Sequence, residues 1–99
     1  MSWTVLKEDE NGNVLDSSLD EFSIKNLEFL LKSNNFTLLQ YLNPFGDTTF
    51  NSNQIDDLIS DLILLKSLKS DNSKKIEKII EVAESCKNDV HSYLKFYGD

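Results

Sequence analysis

An α+β fold is predicted for this chain by three observations. Both ends alternate apolar and polar residues, as strands do. The stretch from 51 to 86 carries two apolar stripes at helical spacing. An Asn-Gly pair at 11–12 can close a tight turn directly after the first strand. The expected arrangement is an antiparallel helical hairpin plus one or two short helices, packed on a small sheet that joins the N- and C-terminal strands. At 99 residues, 1–99 is read as a single domain.

The elements follow in order. In "SWTVLKE", Trp3, Val5 and Lys7 point to one face, and Thr4 and Leu6 to the other. "DENGN" supplies the turn, because Asn and Gly tolerate positive φ, and "VLDSS" returns as a second, weak strand. Asp20 or Ser23 caps a helix that sets Ile24, Leu27, Leu30 and Leu31 on one face. "KSNN" ends it. "FTLLQYL" fits a short helix or a strand; Leu38, Leu39 and Leu42 favour a helical turn, which Pro44 stops.

The second half reads more sharply. Ile55, Leu58, Ile59, Leu62, Leu65 and Leu68 form one stripe. Asn51 is placed to cap this helix, with Gln54 at the capping-box spacing, while Asp56 and Asp57 meet the positive end of the helix dipole. After the connector "KSDNSK", Ser73 is expected to cap a second long helix whose inner face holds Ile76, Ile79, Ile80, Ala83 and Cys86. The tail "HSYLKFYGD" alternates Tyr93 and Lys95 against Leu94 and Phe96, a final strand to pair with the first.

Charge narrows the function. The net charge is −7, and all ten basic residues are lysine. An acidic chain without arginine lacks the forks that read guanine and phosphate, and is repelled by phosphate backbones and anionic membranes. No nucleic acid and no membrane are therefore expected as partners. Residues 1–50 hold eight acids against three lysines, and 51–99 hold nine against seven. The densest acidic region is Glu8, Asp9, Glu10, Asp16, Asp20 and Glu21; Asp56, Asp57 and Asp61 share a polar helix face. Solvated faces are the ordinary reading of such groups, and docking of a basic partner protein is the sharper one. Asp16, Asp20, Glu21, Asp56, Asp57 and Asp61 are the partner-binding candidates. One cysteine excludes an internal disulfide, and no basic segment leads into an apolar run at the start, so a cytoplasmic protein is expected.

No constellation of catalytic type is found. His91 has no nucleophile or orienting partner marked in sequence, and Cys86 with His91 cannot close a zinc site alone. No catalytic residue, metal or other cofactor is expected. The stretch "YLNPFGDTTFN" has two readings. As a ligand loop, Gly46 would allow close approach, Asp47 would bind a cation, and Thr48 and Thr49 would hold an anion. As architecture, Pro44 and Gly46 shape the turn, Phe45 and Phe50 pin it to the core, Asp47 bonds loop amides and Asn51 caps the helix. The architectural reading gives every residue type a role, and the stretch lacks the glycine run and lysine of a phosphate loop.

"NPFGDTTFN" followed by Gln54, with the aromatic Gly-Asp ending of "HSYLKFYGD", resembles a family of small bacterial proteins that share a Pro-aromatic-Gly-Asp-Thr turn. The likeness covers roughly the second half, and Asn43 departs from the acid expected before the proline. The resemblance implies a compact cytoplasmic domain with no catalytic residue, of the kind that accompanies secreted toxins as immunity proteins. The expected function is a non-catalytic immunity protein that binds and neutralises a basic toxin domain. The alternatives are a small adaptor or structural subunit, homodimeric through an exposed apolar stripe, and an enzyme or metal protein using Asp47 and helix carboxylates.

Overall fold

The computed structural model describes residues 3–17, 23, 27–33, 35–43 and 45–98. The chain forms strands β1 (Trp3–Asp9) and β2 (Val14–Ser17), helix α1 (Leu27–Ser33), strand β3 (Asp47–Phe50), helices α2 (Ile55–Leu68) and α3 (Ser73–Cys86), and strand β4 (Ser92–Gly98). The sheet is antiparallel throughout, in the order β2-β1-β4-β3. The terminal strands pair along their whole length, from Trp3 opposite Gly98 to Asp9 opposite Ser92.

Alternation decides which face of the sheet is covered. Val5, Leu94, Phe96 and Phe50 are buried on the face that meets the helices, where the Phe50 and Phe96 rings meet edge to face at 5.8 Å. Ile55, Leu58, Leu62 and Leu65 of α2 and Ile76, Ile79, Ala83 and Cys86 of α3 fill the other side of this core. Each fully buried leucine or isoleucine contributes about 2 kcal/mol. Lys7 also points inward, and its amine donates to the Ser85 carbonyl at 3.0 Å, a cation at the negative end of α3. Two ion pairs show that α2 and α3 run antiparallel: Lys87 to Asp56 at 3.0 Å and Lys66 to Glu77 at 2.7 Å.

The stretch from 41 to 51 departs from the expected turn. Asp47–Phe50 is a strand, paired with β4 so that Thr48 faces Phe96 and Phe50 faces Leu94. Two threonines and a phenylalanine suit a pleated, half-buried edge. Phe50 does anchor this segment, but Phe45 is 80 % exposed and pins nothing. Nor does Asp47 bond the loop amides: Phe45 N–H donates to Asn43 Oδ1 at 2.9 Å and Asn43 N–H to Thr48 Oγ1 at 3.4 Å, so Asn43 and Thr48 fill that role. The segment is tied in by the Trp3 indole N–H to the Asn43 carbonyl at 3.1 Å and by Gly98 N–H to the Gly46 carbonyl at 2.8 Å. Gly46 does not occupy the positive-φ region; Gly12, in the β1–β2 turn, does, with φ 83°. Pro44 lies outside the described residues, as do Asp20 and Ile24 of the first expected helix.

Two helix details also differ. Ser73 is the first residue of α3 rather than its cap, because a 3-10 turn over Ser70–Asn72 runs straight into the helix. Leu68, placed in the core stripe, is 42 % exposed where α2 ends. "FTLLQYL" yields one 3-10 turn, Leu39–Tyr41, with Leu39 fully buried. No helix among the described residues is long and apolar enough to cross a membrane.

Candidate protein-docking face

Helix α2 is held at both its start and its middle. At the start, Asn51 and Gln54 form a capping box on a 3-10 turn, Ser52–Gln54, that runs straight into α2, so Asn51 caps this lead-in turn rather than α2 itself; Asn51 N–H donates to Gln54 Oε1 at 3.0 Å. In the middle, Asp61 turns away from solvent. Its Oδ1 accepts from Thr37 N–H at 3.0 Å, and its Oδ2 accepts from Leu38 N–H at 2.6 Å and Leu39 N–H at 3.0 Å. The side chain is 4 % exposed. Asp61 therefore does not share an accessible face with Asp56 and Asp57. Its carboxylate satisfies main-chain donors at the turn after α1, because an ionised acceptor is the strongest partner those amides can find.

What remains on the outward face of α2 is divided lengthwise. Asp56 and Asp57 are exposed in the first turn. Ile63, Leu64 and Leu68 are exposed beyond them, at 56 %, 36 % and 42 %. Ser60 and Ser67 lie between and are exposed too. Helix α3 has the same length, but no large hydrophobic residue among the exposed ones; its exposed positions are Lys74, Lys75, Glu77, Lys78, Glu81, Glu84 and Ser85. That is an ordinary solvated face, laced by pairs such as Lys78 with Glu81 at 3.7 Å. Other large apolar residues are exposed too, among them Phe29, Tyr41, Phe45 and Val90; what distinguishes Ile63, Leu64 and Leu68 is that they lie on successive turns of one helix face.

The other candidate acids are scattered. Asp16 is exposed on edge strand β2, where its Oδ1 accepts from Ser17 N–H at 2.8 Å. Asp20 and Glu21 lie outside the described residues. Asp9 belongs to the β1–β2 turn: Oδ1 accepts from the main chain of Asn11 and Asn13, and Oδ2 from the Asn13 side chain at 3.0 Å. The Asn13 amide group, then its main chain, holds the Asp9 carboxyl below the ordinary 3.8.

The face of the sheet turned away from the helices carries a polar cluster that sequence reading did not single out. Glu8 is 6 % exposed there; it accepts from the Tyr97 phenol, with Lys95 Nζ at 3.9 Å and also 5.0 Å above the Tyr97 ring. Alternation places Glu8, Lys95 and Tyr97 on one face of paired strands, which was the available signal. The Glu8 carboxylate, and secondarily desolvation, push the Tyr97 phenol up from its ordinary value; hydrogen bonding with Tyr97 lifts Lys95. Neither shift moves a group toward neutral pH, where acid–base catalysis would use it. A shallow cleft of about 240 Å³ lies beside them, lined by Glu8, Glu10, Thr49, Tyr93 and Lys95.

His91 is exposed, with Nδ1 3.4 Å from Glu10. Cys86 is fully buried, and desolvation raises its thiol. Among the described residues no three His, Cys, Asp or Glu side chains gather as metal ligands. Comparisons with family models, curated proteins and solved structures gave no match.

Proposed function

We propose that this protein binds and neutralises a basic protein domain, in the manner of a bacterial immunity protein, and that it does so through the outward face of α2. The observation that carries this reading is the division of that face into two exposed first-turn carboxylates and three uncovered apolar side chains, on a helix whose capping box and buried Asp61 hold it in place. Fixed carboxylates lower the ordering cost of binding and steer a cationic partner. Apolar groups at the centre of an interface supply what survives high salt.

The test is association with the purified product of the neighbouring gene, at low and high salt. Asp56→Asn with Asp57→Asn should slow association by about tenfold at low salt, and high salt should abolish most of the difference. Unchanged kinetics in that variant would remove this face from the interface. The homodimer alternative draws on the same Ile63, Leu64 and Leu68. A monomer in sedimentation at working concentration excludes it, and a dimer that Leu64→Gln dissociates would favour it.

A further inference from the structure

The division of the α2 face fixes the pattern of what binds it, and this inference rests on the reading just proposed. We infer that the occupant is a single segment of a partner protein whose cationic and apolar residues are segregated along its length, cations at one end and apolar side chains at the other. Three observations support this. First, the exposed acids of α2 sit only in its first turn, at Asp57 and at Asp56, which shares its charge with Lys87 at 3.0 Å, and Lys66 further along is engaged with Glu77 at 2.7 Å. Second, the exposed apolar positions Ile63, Leu64 and Leu68 occupy only the later half. Third, the carboxylate that interrupts this face in sequence, Asp61, is withdrawn into the Thr37–Leu39 amides, so no negative charge opposes an apolar group there.

The spacing gives the segment a scale. At a helical rise of ~1.5 Å per residue, Leu64 lies about 10 Å and Leu68 about 16 Å along the axis from Asp57. A helix laid along the face meets this with basic residues two to three turns from its apolar anchors, in either chain direction, since only the order of charge and apolarity is read. A segment that interleaves lysine and leucine would set cations against Ile63 and Leu64, where they lose water and gain no partner.

The experiment uses the whole isotopically labelled protein and two synthetic helical peptides of identical composition, lysine and leucine on an alanine frame. One is segregated and the other interleaved, and each carries a spin label at one end. Amide shifts on titration should map to α2, with the segregated peptide bound about tenfold more tightly. Its lysine-end label should broaden Asp56 and Asp57 more strongly than Leu68. Leu64→Gln with Leu68→Gln should erase the preference while leaving the melting temperature within a few degrees of the parent. Equal affinity of the two peptides, or shifts centred on another surface, would overturn the inference. The two readings fail separately. A neighbouring gene product that does not bind, beside a segregated peptide that does, defeats the immunity role alone. Salt-sensitive binding of that product, beside equal peptide affinities, defeats the segregated-segment inference alone.

Discussion

Asp61 on α2 accepts the main-chain N–H of Leu38 at 2.6 Å, and so ties the middle of a long helix to the turn that follows α1. The same carboxylate holds the amides on either side, at Thr37 and Leu39. One side chain thus orders the link between the helical hairpin and the segment that contributes Leu39 to the core.

Removing that carboxylate strands three amides. Asp61→Ala should cost about 3 kcal/mol, and Asp61→Asn less, because the amide keeps one acceptor but turns donors toward donors. Urea melts of the two variants check this. A cost under about 0.5 kcal/mol for the alanine variant would show that water replaces the carboxylate without loss.

The two turn glycines should rank in a definite order. Gly12 has φ 83°, a region that costs a side chain ~1–2 kcal/mol. Gly46 lacks that constraint; an added Cβ would meet the Asn43 side chain, its nitrogen at 2.8 Å and its Cγ at 3.4 Å, and turning that amide away gives up an exposed bond to Phe45 N–H, worth about 1 kcal/mol or less. Gly12→Ala should therefore destabilise more than Gly46→Ala in the same melts. The reverse order would place the strain in the 43–46 turn.

These particulars show what the sequence makes legible. The stripes of α2 and α3 and the alternation of β1 and β4 are local patterns, and the structure has them. β2 was read as weak and is a four-residue edge. β3 is hidden because Pro44 and Gly46 directly precede a strand of only four residues, whose strand character comes from its pairing with β4. Asp61 looked solvated because helical periodicity reports the angle of a residue, not whether a distant turn will present bare amides at that angle. Phe45 looked buried because aromatic residues usually are, yet it projects from the turn, and nothing local in the sequence distinguishes it from Phe50.

Acid should weaken the β1–β2 turn. The folded carboxyl of Asp9 titrates below 3.8, so the folded chain binds fewer protons than the unfolded one in that range. The stabilisation is present above pH 3.8 and is lost as pH falls through the lower folded value. Amide exchange at Asn11 and Asn13 should accelerate in that window. In Asp9→Asn the step should vanish; a step of the same size there would assign it to another group.

At the alkaline end the sign reverses. Tyr97 is raised above 10 by its bond to Glu8, so its contribution is complete below pH 10 and is lost as pH rises through the folded value. The phenolate absorbance of the parent minus that of Tyr97→Phe should titrate above 10, and Glu8→Gln should bring it down. A midpoint at or below 10 would mean that the Glu8 contact does not hold the proton.

The central claim is that α2 meets a protein partner with its divided outward face. Its most direct test is equilibrium binding of the purified neighbouring gene product to the parent and to one variant that changes only that face: Asp56→Asn, Asp57→Asn, Leu64→Gln and Leu68→Gln together. All four positions are exposed, and the Asp56–Lys87 pair that is lost is a surface one worth little, so the variant should retain the parent's circular dichroism and melt within a few degrees of it. The account predicts binding weakened by at least about a hundredfold, roughly 2.7 kcal/mol. Binding of the folded variant with the parent's Kd would contradict it.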